Sequence, residues 1–207
     1  MEHTARKTHW EQVYQQKSPL DVSWYQTQPS MSLKLIEETG IEKQQRIIDV
    51  GAGASVLVDY LLKAGFSRLA VLDISAQSLQ HAKTRLGENS HKIEWLEDDV
   101  TTFEPPHPYE LWHDRAVFHF LTNAEDRNRY VQVLKKALVP NGHLIIATFA
   151  IGGPKKCSGL DIVQYDAESL CAELGDEFEL LDVQNEAHIT PANAEQKFTY
   201  FRFLITT

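Results

Sequence analysis

Hydrophobic and polar positions alternate along this chain in two periods, and turn residues mark each change from one to the other. Short apolar runs predict strands at Arg46–Val50 (R-I-I-D-V), 68–74 (R-L-A-V-L-D-I), 93–96, 111–117 and 143–149 (H-L-I-I-A-T-F). Between them the spacing is helical. Val56, Leu57, Tyr60, Leu61 and Ala64 share one face and Gly65 follows as a stop, and Leu79, Ala82 and Leu86 repeat the pattern ahead of Gly87. Thr122 and Glu125 predict a capping box for a helix carrying Val131, Leu134 and Leu138, which Pro140-Asn141-Gly142 ends.

Strands and helices in this alternation predict βαβ units, hence an α/β fold with helices on both faces of a mostly parallel sheet. The last two apolar runs, 178–183 and 198–205 (F-T-Y-F-R-F-L-I), are joined by the polar segment 184–197, where no crossover helix fits. They are expected to pair antiparallel at one edge. Ahead of the first strand the chain has a helical stretch, Ser30–Glu38, and before it an aromatic segment, 9–14 (H-W-E-Q-V-Y) through 23–26 (S-W-Y-Q), read as a cover over the sheet.

A length of 207 residues with 43% apolar and 24% charged residues is enough for one domain with a buried core, which argues against disorder or a fibrous architecture. No fixed-period repeat or low-complexity tract appears. The expectation is a single domain over 1–207 in which 1–40 form a helical and aromatic lid. The formal net charge of -9 opposes a phosphate-tracking surface, so no nucleic-acid partner is expected. Only two cysteines, Cys157 and Cys171, and no apolar run of roughly 18 residues lead to the expectation of a cytoplasmic protein without disulfides or a membrane span. The nine histidines lack ligand-type spacing, so no metal is expected.

In open α/β sheets ligands bind beyond the carboxyl ends of the strands, so the strand ends hold the candidate chemistry. The first ends in Asp49-Val50-Gly51-Ala52-Gly53-Ala54-Ser55. Its two glycines let backbone approach a ligand at a helix start. Val56 stands where a dinucleotide fingerprint needs its third glycine, and Asp49 suits a ligand with positive charge better than a pyrophosphate. The second ends at Asp73, a carboxylate able to accept both hydroxyls of a ribose. The third ends in Glu97-Asp98-Asp99-Val100, which offers a carboxylate to an adenine amine and a backbone N–H to a ring nitrogen; Asp99 is favoured, with Asp98 as the alternative. The fourth runs into Trp112-His113-Asp114-Arg115-Ala116-Val117-Phe118-His119-Phe120.

Taken in order, D-V-G-A-G (49–53), L-D-I-S (72–75), E-D-D-V (97–100), the fourth-strand segment and L-V-P-N-G-H-L-I-I-A-T-F (138–149) resemble the motifs of class I S-adenosylmethionine-dependent methyltransferases, over essentially residues 9–207. The resemblance implies a Rossmann-like seven-stranded sheet in order 3-2-1-4-5-7-6, its last strand antiparallel, with S-adenosyl-L-methionine as cofactor and S-adenosyl-L-homocysteine as product. It implies that Asp49, Gly51 and Gly53 line the methionine part, that Asp73 binds the ribose and that Asp99 with Val100 frames the adenine, with Ala52 and Ile74 also among the cofactor contacts. Ser55 stands at the last glycine of the usual G-x-G-x-G loop. H-W-E-Q-V-Y, S-W-Y-Q, H-D-R-A-V-F-H-F-L and K-C-S-G-L look like a narrower group of small bacterial methyltransferases, mostly without an assigned substrate. D-R-A-V is similar to the W-D-R-G-A-L of thiopurine-type methyltransferases, which implies Arg115 as a pocket residue and Trp10, Trp24 and Tyr25 as the lid.

Methyl transfer from a sulfonium is an in-line displacement, so catalysis is mainly alignment of nucleophile and methyl. An amine or thiol acceptor adds the need to lose a proton. Asp114 and His119 are the candidate bases, with His113 third because neighbours on a strand point to opposite faces, and Asp114 and Arg115 are also counted with the cofactor contacts. Cys157 is read as an ordinary loop cysteine over the acceptor pocket and Cys171 as core. The expected function is methyl transfer to a small-molecule N, S or O nucleophile; a protein lysine is the alternative acceptor, and a cofactor-binding module without turnover the second alternative.

Overall fold

The computed structural model describes residues 3–206 and is centred on the strands that the apolar runs predict. In chain order the strands are β1 (Arg46–Val50), β2 (Arg68–Asp73), β3 (Ile93–Glu97), β4 (Tyr109–Arg115), β5 (Leu138–Phe149), the short pair β6 (Lys156–Cys157) and β7 (Leu160–Asp161), then β8 (Phe178–Ile189) and β9 (Glu195–Ile205). The main sheet runs β3-β2-β1-β4-β5-β9-β8. With the β6/β7 hairpin set aside this is the expected 3-2-1-4-5-7-6. β1 to β5 pair in parallel, and β9 is antiparallel to both β5 and β8.

The helices are α1 (His3–Gln16), α2 (Ser30–Glu38), α3 (Leu57–Lys63), α4 (Ala76–Leu86), α5 (Ala124–Ala137) and α6 (Ala167–Leu174). Strand alternation divides the core between them. Ile48, Val50, Leu72, Trp112, Leu144 and Ile146 pack with Tyr130 and Leu134 of α5 and Leu170 of α6. Ile47, Leu69, Val71, Leu111 and Ile145 pack with Leu35 of α2, Leu57 of α3 and Leu79 of α4. Each such side chain contributes roughly 1.5–3 kcal/mol when fully buried. Among the described residues no helix is long and apolar enough to cross a membrane.

Four local features differ from the sequence reading. α5 is capped by Asn123, whose side chain accepts the Glu125 N–H at 2.8 Å, and not by Thr122, whose own N–H is held by Phe120 O at 3.0 Å in the preceding turn. Pro140-Asn141-Gly142 does not precede β5 but bulges inside it: Tyr109 pairs with Leu138 and Leu111 with His143, and Asn141 turns at φ 61°. The polar segment 184–197 is mostly strand, paired out to Ile189 with Glu195, because exposed polar side chains are tolerated on the open face of an edge strand. The aromatic segment 9–14 belongs to α1, a helix without an apolar stripe that docks partly by charge. Glu11 accepts the Ala76 N–H at 2.7 Å at the first turn of α4, and Arg6 pairs with Asp126 at 3.0 Å.

Candidate active site

β1, β2, β3 and β4 end at one rim, where two adjoining cavities open. The larger runs from Asp73, Ile74, Asp98, Asp99 and Val100 past Val117 to Arg115, Phe149, Cys157 and Phe198, beneath Arg6, Trp10, Tyr14 and Trp24. The smaller is bordered by Tyr25, Ser32, Asp49, Ala52, Ser55 and His113. Trp24, Val50, Gly51 and Arg115 border both. The structure therefore brings Trp10, Trp24, Tyr25, Asp49, Gly51, Ala52, Asp73, Ile74, Asp99, Val100 and Arg115 to these two adjoining cavities. Gly53 stands just behind it.

The loop after β1 needs its glycines for shape. Gly51 turns at φ 56°, and a Cβ there would lie 1.9 Å from Val117 Cγ2; Gly53 turns at φ 54°, and its Cβ would lie 2.2 Å from the Tyr14 hydroxyl. The same loop is tied to the second strand end, since Asp73 accepts the Gly53 N–H at 2.7 Å through Oδ2 and the Ser75 N–H at 2.8 Å through Oδ1. Burial raises the Asp73 carboxyl to about 6, against the lowering effect of these N–H groups. Each oxygen keeps a lone pair for a further donor.

At the third strand end Asp99 is more heavily engaged than the sequence reading expects. Its Oδ1 accepts both the N–H and the hydroxyl of Thr101, at 2.9 and 2.7 Å, and its Oδ2 lies 2.9 Å from Arg6 Nη2. Asp98 holds only the Asp99 N–H, at 2.7 Å through Oδ1. Arg6 and Tyr14 are cavity residues that sequence reasoning missed, although Tyr14 closes the H-W-E-Q-V-Y segment. Arg6 carries no local signal at all, since its partners lie about a hundred residues away.

The fourth strand corrects two candidates. Asp114 shares the face of Trp112, turned toward α5, and borders neither cavity. Its oxygens are used by the Val117 N–H (2.8 Å), the Phe118 N–H (3.1 Å) and the Tyr130 hydroxyl (2.6 Å), so it braces the turn after β4. Burial lifts it to about 6. His119 is fully buried between Phe120 and Phe149 and borders neither cavity. Burial, with the nearby Arg115 charge, lowers it to about 3, which makes it too weak a base near neutral pH. His113, ranked third from sequence, is the one that faces the smaller cavity.

Arg115 is held from four sides. Its Nε donates to the Tyr200 hydroxyl at 2.8 Å, its Nη1 donates to Trp24 O at 3.0 Å, its Nη2 lies 3.7 Å from Glu186, and its guanidinium stands 4.4 Å over the Phe198 ring. Trp10 meets Trp24 and Phe120 edge to face at 5.9 and 5.0 Å, closing an aromatic roof. Cys157 is buried beside it, with its thiol pushed up to about 11, and is correspondingly inert.

Residues 48–144 match a family described as a methyltransferase domain. Malonyl-[acyl-carrier protein] O-methyltransferase 1 of Ilyobacter polytropus is 30% identical over 129 residues, 61% of this chain and 47% of that protein. The eEF1A lysine and N-terminal methyltransferase of Bos taurus is 24% identical over 154 residues, 73% of this chain and 21% of that protein. The matches thus span less than half the length of these relatives. The N-methyltransferase NodS of Bradyrhizobium japonicum, in complex with S-adenosyl-L-homocysteine, superposes with a TM-score of 0.70 at 17% identity, covering 95% of this chain and 98% of NodS, and so shares the fold. That domain match runs across β1 to β5, and the sheet order 3-2-1-4-5-7-6 is the one that the resemblance to class I S-adenosylmethionine-dependent methyltransferases implies.

Proposed function

We propose that the protein transfers a methyl group from S-adenosylmethionine to a small, largely apolar nucleophile. The observation that carries this reading is the single connected space with two unlike ends: carboxylates at the ends of β2 and β3, and an aromatic enclosure of Trp10, Trp24, Phe120, Phe149 and Phe198. The residues present fit the cofactor. The Asp73 oxygens can accept the ribose hydroxyls while keeping the Gly53 and Ser75 N–H groups. Asp98, with one bond made, is freer than Asp99 to accept an adenine amine, and Val100 borders the same end. Asp49, Gly51, Ala52 and Ser55 border the space for the methionine part.

When bound, the cofactor supplies an electrophilic methyl on a sulfonium. The chain's own task is alignment and exclusion of water, which supplies rate without covalent chemistry. Aromatic faces at the roof would favour a cation beneath them by roughly 0.5–2 kcal/mol. Among the described residues bordering the acceptor end, Cys157 is raised to about 11 and Arg115 is a held cation, so neither takes a proton at neutral pH. The acceptor then arrives as a nucleophile already free of its proton. That favours small acidic or weakly basic groups over a protonated lysine, although the eEF1A-methylating relative keeps a protein acceptor as the second reading. Two cysteines without a disulfide fit a cytoplasmic setting.

A screen of small thiols, carboxylic acids, phenols and amines alongside lysine-containing proteins, read by S-adenosylhomocysteine release, tests the reading. Release with a small apolar member is the expected result. Release with protein lysine alone would replace it by the second reading.

A further inference from the structure

Ser32 in α2, His113 in β4 and Asp49 in β1 form a buried chain of side chains along the smaller cavity and border the larger one nowhere. They are 0%, 2% and 4% exposed. Ser32 Oγ lies 2.9 Å from His113 Nε2, and His113 Nδ1 lies 2.7 Å from Asp49 Oδ1. Asp49 Oδ2 is buried and has no hydrogen-bond partner. A Ser-His-Asp order invites comparison with a hydrolytic nucleophile, but Ser32 is wholly enclosed, so the chain of bonds has to act on something other than an attacking serine.

An unpaired buried carboxylate oxygen is costly, so its retention points to a partner that arrives with the ligand. A buried carboxylate with one free oxygen suits the ammonium of the α-amino-acid end that the family resemblance assigns to Asp49. We propose that Ser32 and His113 are positioning residues that hold Asp49 with Oδ2 free to receive the ammonium at the amino-acid end of the cofactor, an assignment that rests on the methyltransferase reading. The Ser32 hydroxyl donates to His113 Nε2, which leaves Nδ1–H to donate to Asp49 Oδ1. This tautomer gives both ring nitrogens a partner. Asp49 cannot rotate without breaking the bond to His113. The site then distinguishes a nucleoside thioether with an amino-acid tail from one without it.

The test compares two ligands on the full chain by calorimetry: S-adenosylhomocysteine, and 5′-methylthioadenosine, which keeps the nucleoside thioether and lacks the amino-acid tail. His113→Phe retains a ring and removes both nitrogens. It should weaken S-adenosylhomocysteine by about tenfold or more, the size expected for hydrogen bonds to a charged group, and leave methylthioadenosine within about twofold. Ser32→Ala, a smaller change to the same chain of bonds, should show the same ligand selectivity with a loss of about threefold. Asp49→Asn should bring S-adenosylhomocysteine down toward the affinity of methylthioadenosine. Unchanged binding of the tailless ligand shows that a variant is folded. Equal weakening of both ligands in Ser32→Ala and His113→Phe, or wild-type affinity for S-adenosylhomocysteine in both, would overturn the assignment. Wild-type protein that binds neither ligand would instead refute the methyltransferase reading beneath it.

Discussion

Single residues at the strand ends carry most of the account. Gly51 turns at a positive φ against Val117, so Gly51→Ala combines backbone strain with a 1.9 Å clash; it should cost about 1–3 kcal/mol of stability, measured as the shift in urea midpoint, and should abolish cofactor binding. Asp73, raised to about 6 by burial, predicts a pH dependence of binding. Ribose hydroxyls need the ionised carboxylate, and their bonds to it lower its titration in the complex. Affinity is therefore full above about pH 6 and falls as pH drops through that value, and Asp73→Asn should flatten the profile while weakening binding. His119 gives a stability profile instead. Its folded titration near 3 lies below the ordinary 6.5, so the unfolded chain binds a proton that the folded chain refuses. Stability is fully present above about pH 6.5 and is lost as pH falls toward 3. Denaturant melts of His119→Phe across that range should show a shallower acid loss than wild type.

Elements differ in how they announce themselves. β1 to β5 were legible because buried strands need short apolar runs, and α2 because its apolar face has helical period. α1 was not legible as a helix, because it docks through Arg6, Glu11 and Tyr14, whose partners are Asp99 and Asp126, the start of α4, and the glycine loop. No local pattern encodes such pairings. The candidate site divides the same way: Asp49, Gly51 and Asp73 announce themselves at strand ends, whereas Ser32 and Arg6 become site residues only through contacts 81 and 93 or more positions away. His113 and Asp114 were both visible, but which of them faced the cavity depended on which sheet face α5 covered. The lid role of α1 is testable. Arg6→Ala leaves Asp99 and Asp126 facing each other without their shared cation, and should destabilise by roughly 3–5 kcal/mol as for other broken buried pairs. It should also speed S-adenosylhomocysteine release in stopped flow; an unchanged off-rate would reduce α1 to a passive cover.

At the scale of the molecule, a parallel sheet closed by an antiparallel hairpin places four strand ends beneath α1, and the acidic residues there border enclosed space rather than open solvent. The hairpin also reaches the site, since Tyr200 and Glu186 hold Arg115 between the two cavities. The fold alone is shared with many chemistries, so the proposed methyl transfer stands or falls on whether this space binds a cationic nucleoside donor. Calorimetric titration of the wild-type chain with S-adenosylmethionine, S-adenosylhomocysteine and NADH tests it most directly. Saturable heat is expected with the first two at one site per chain, weakened in Asp73→Asn, and none with NADH. Absence of heat with both S-adenosyl compounds, or binding of NADH in their place, would contradict it.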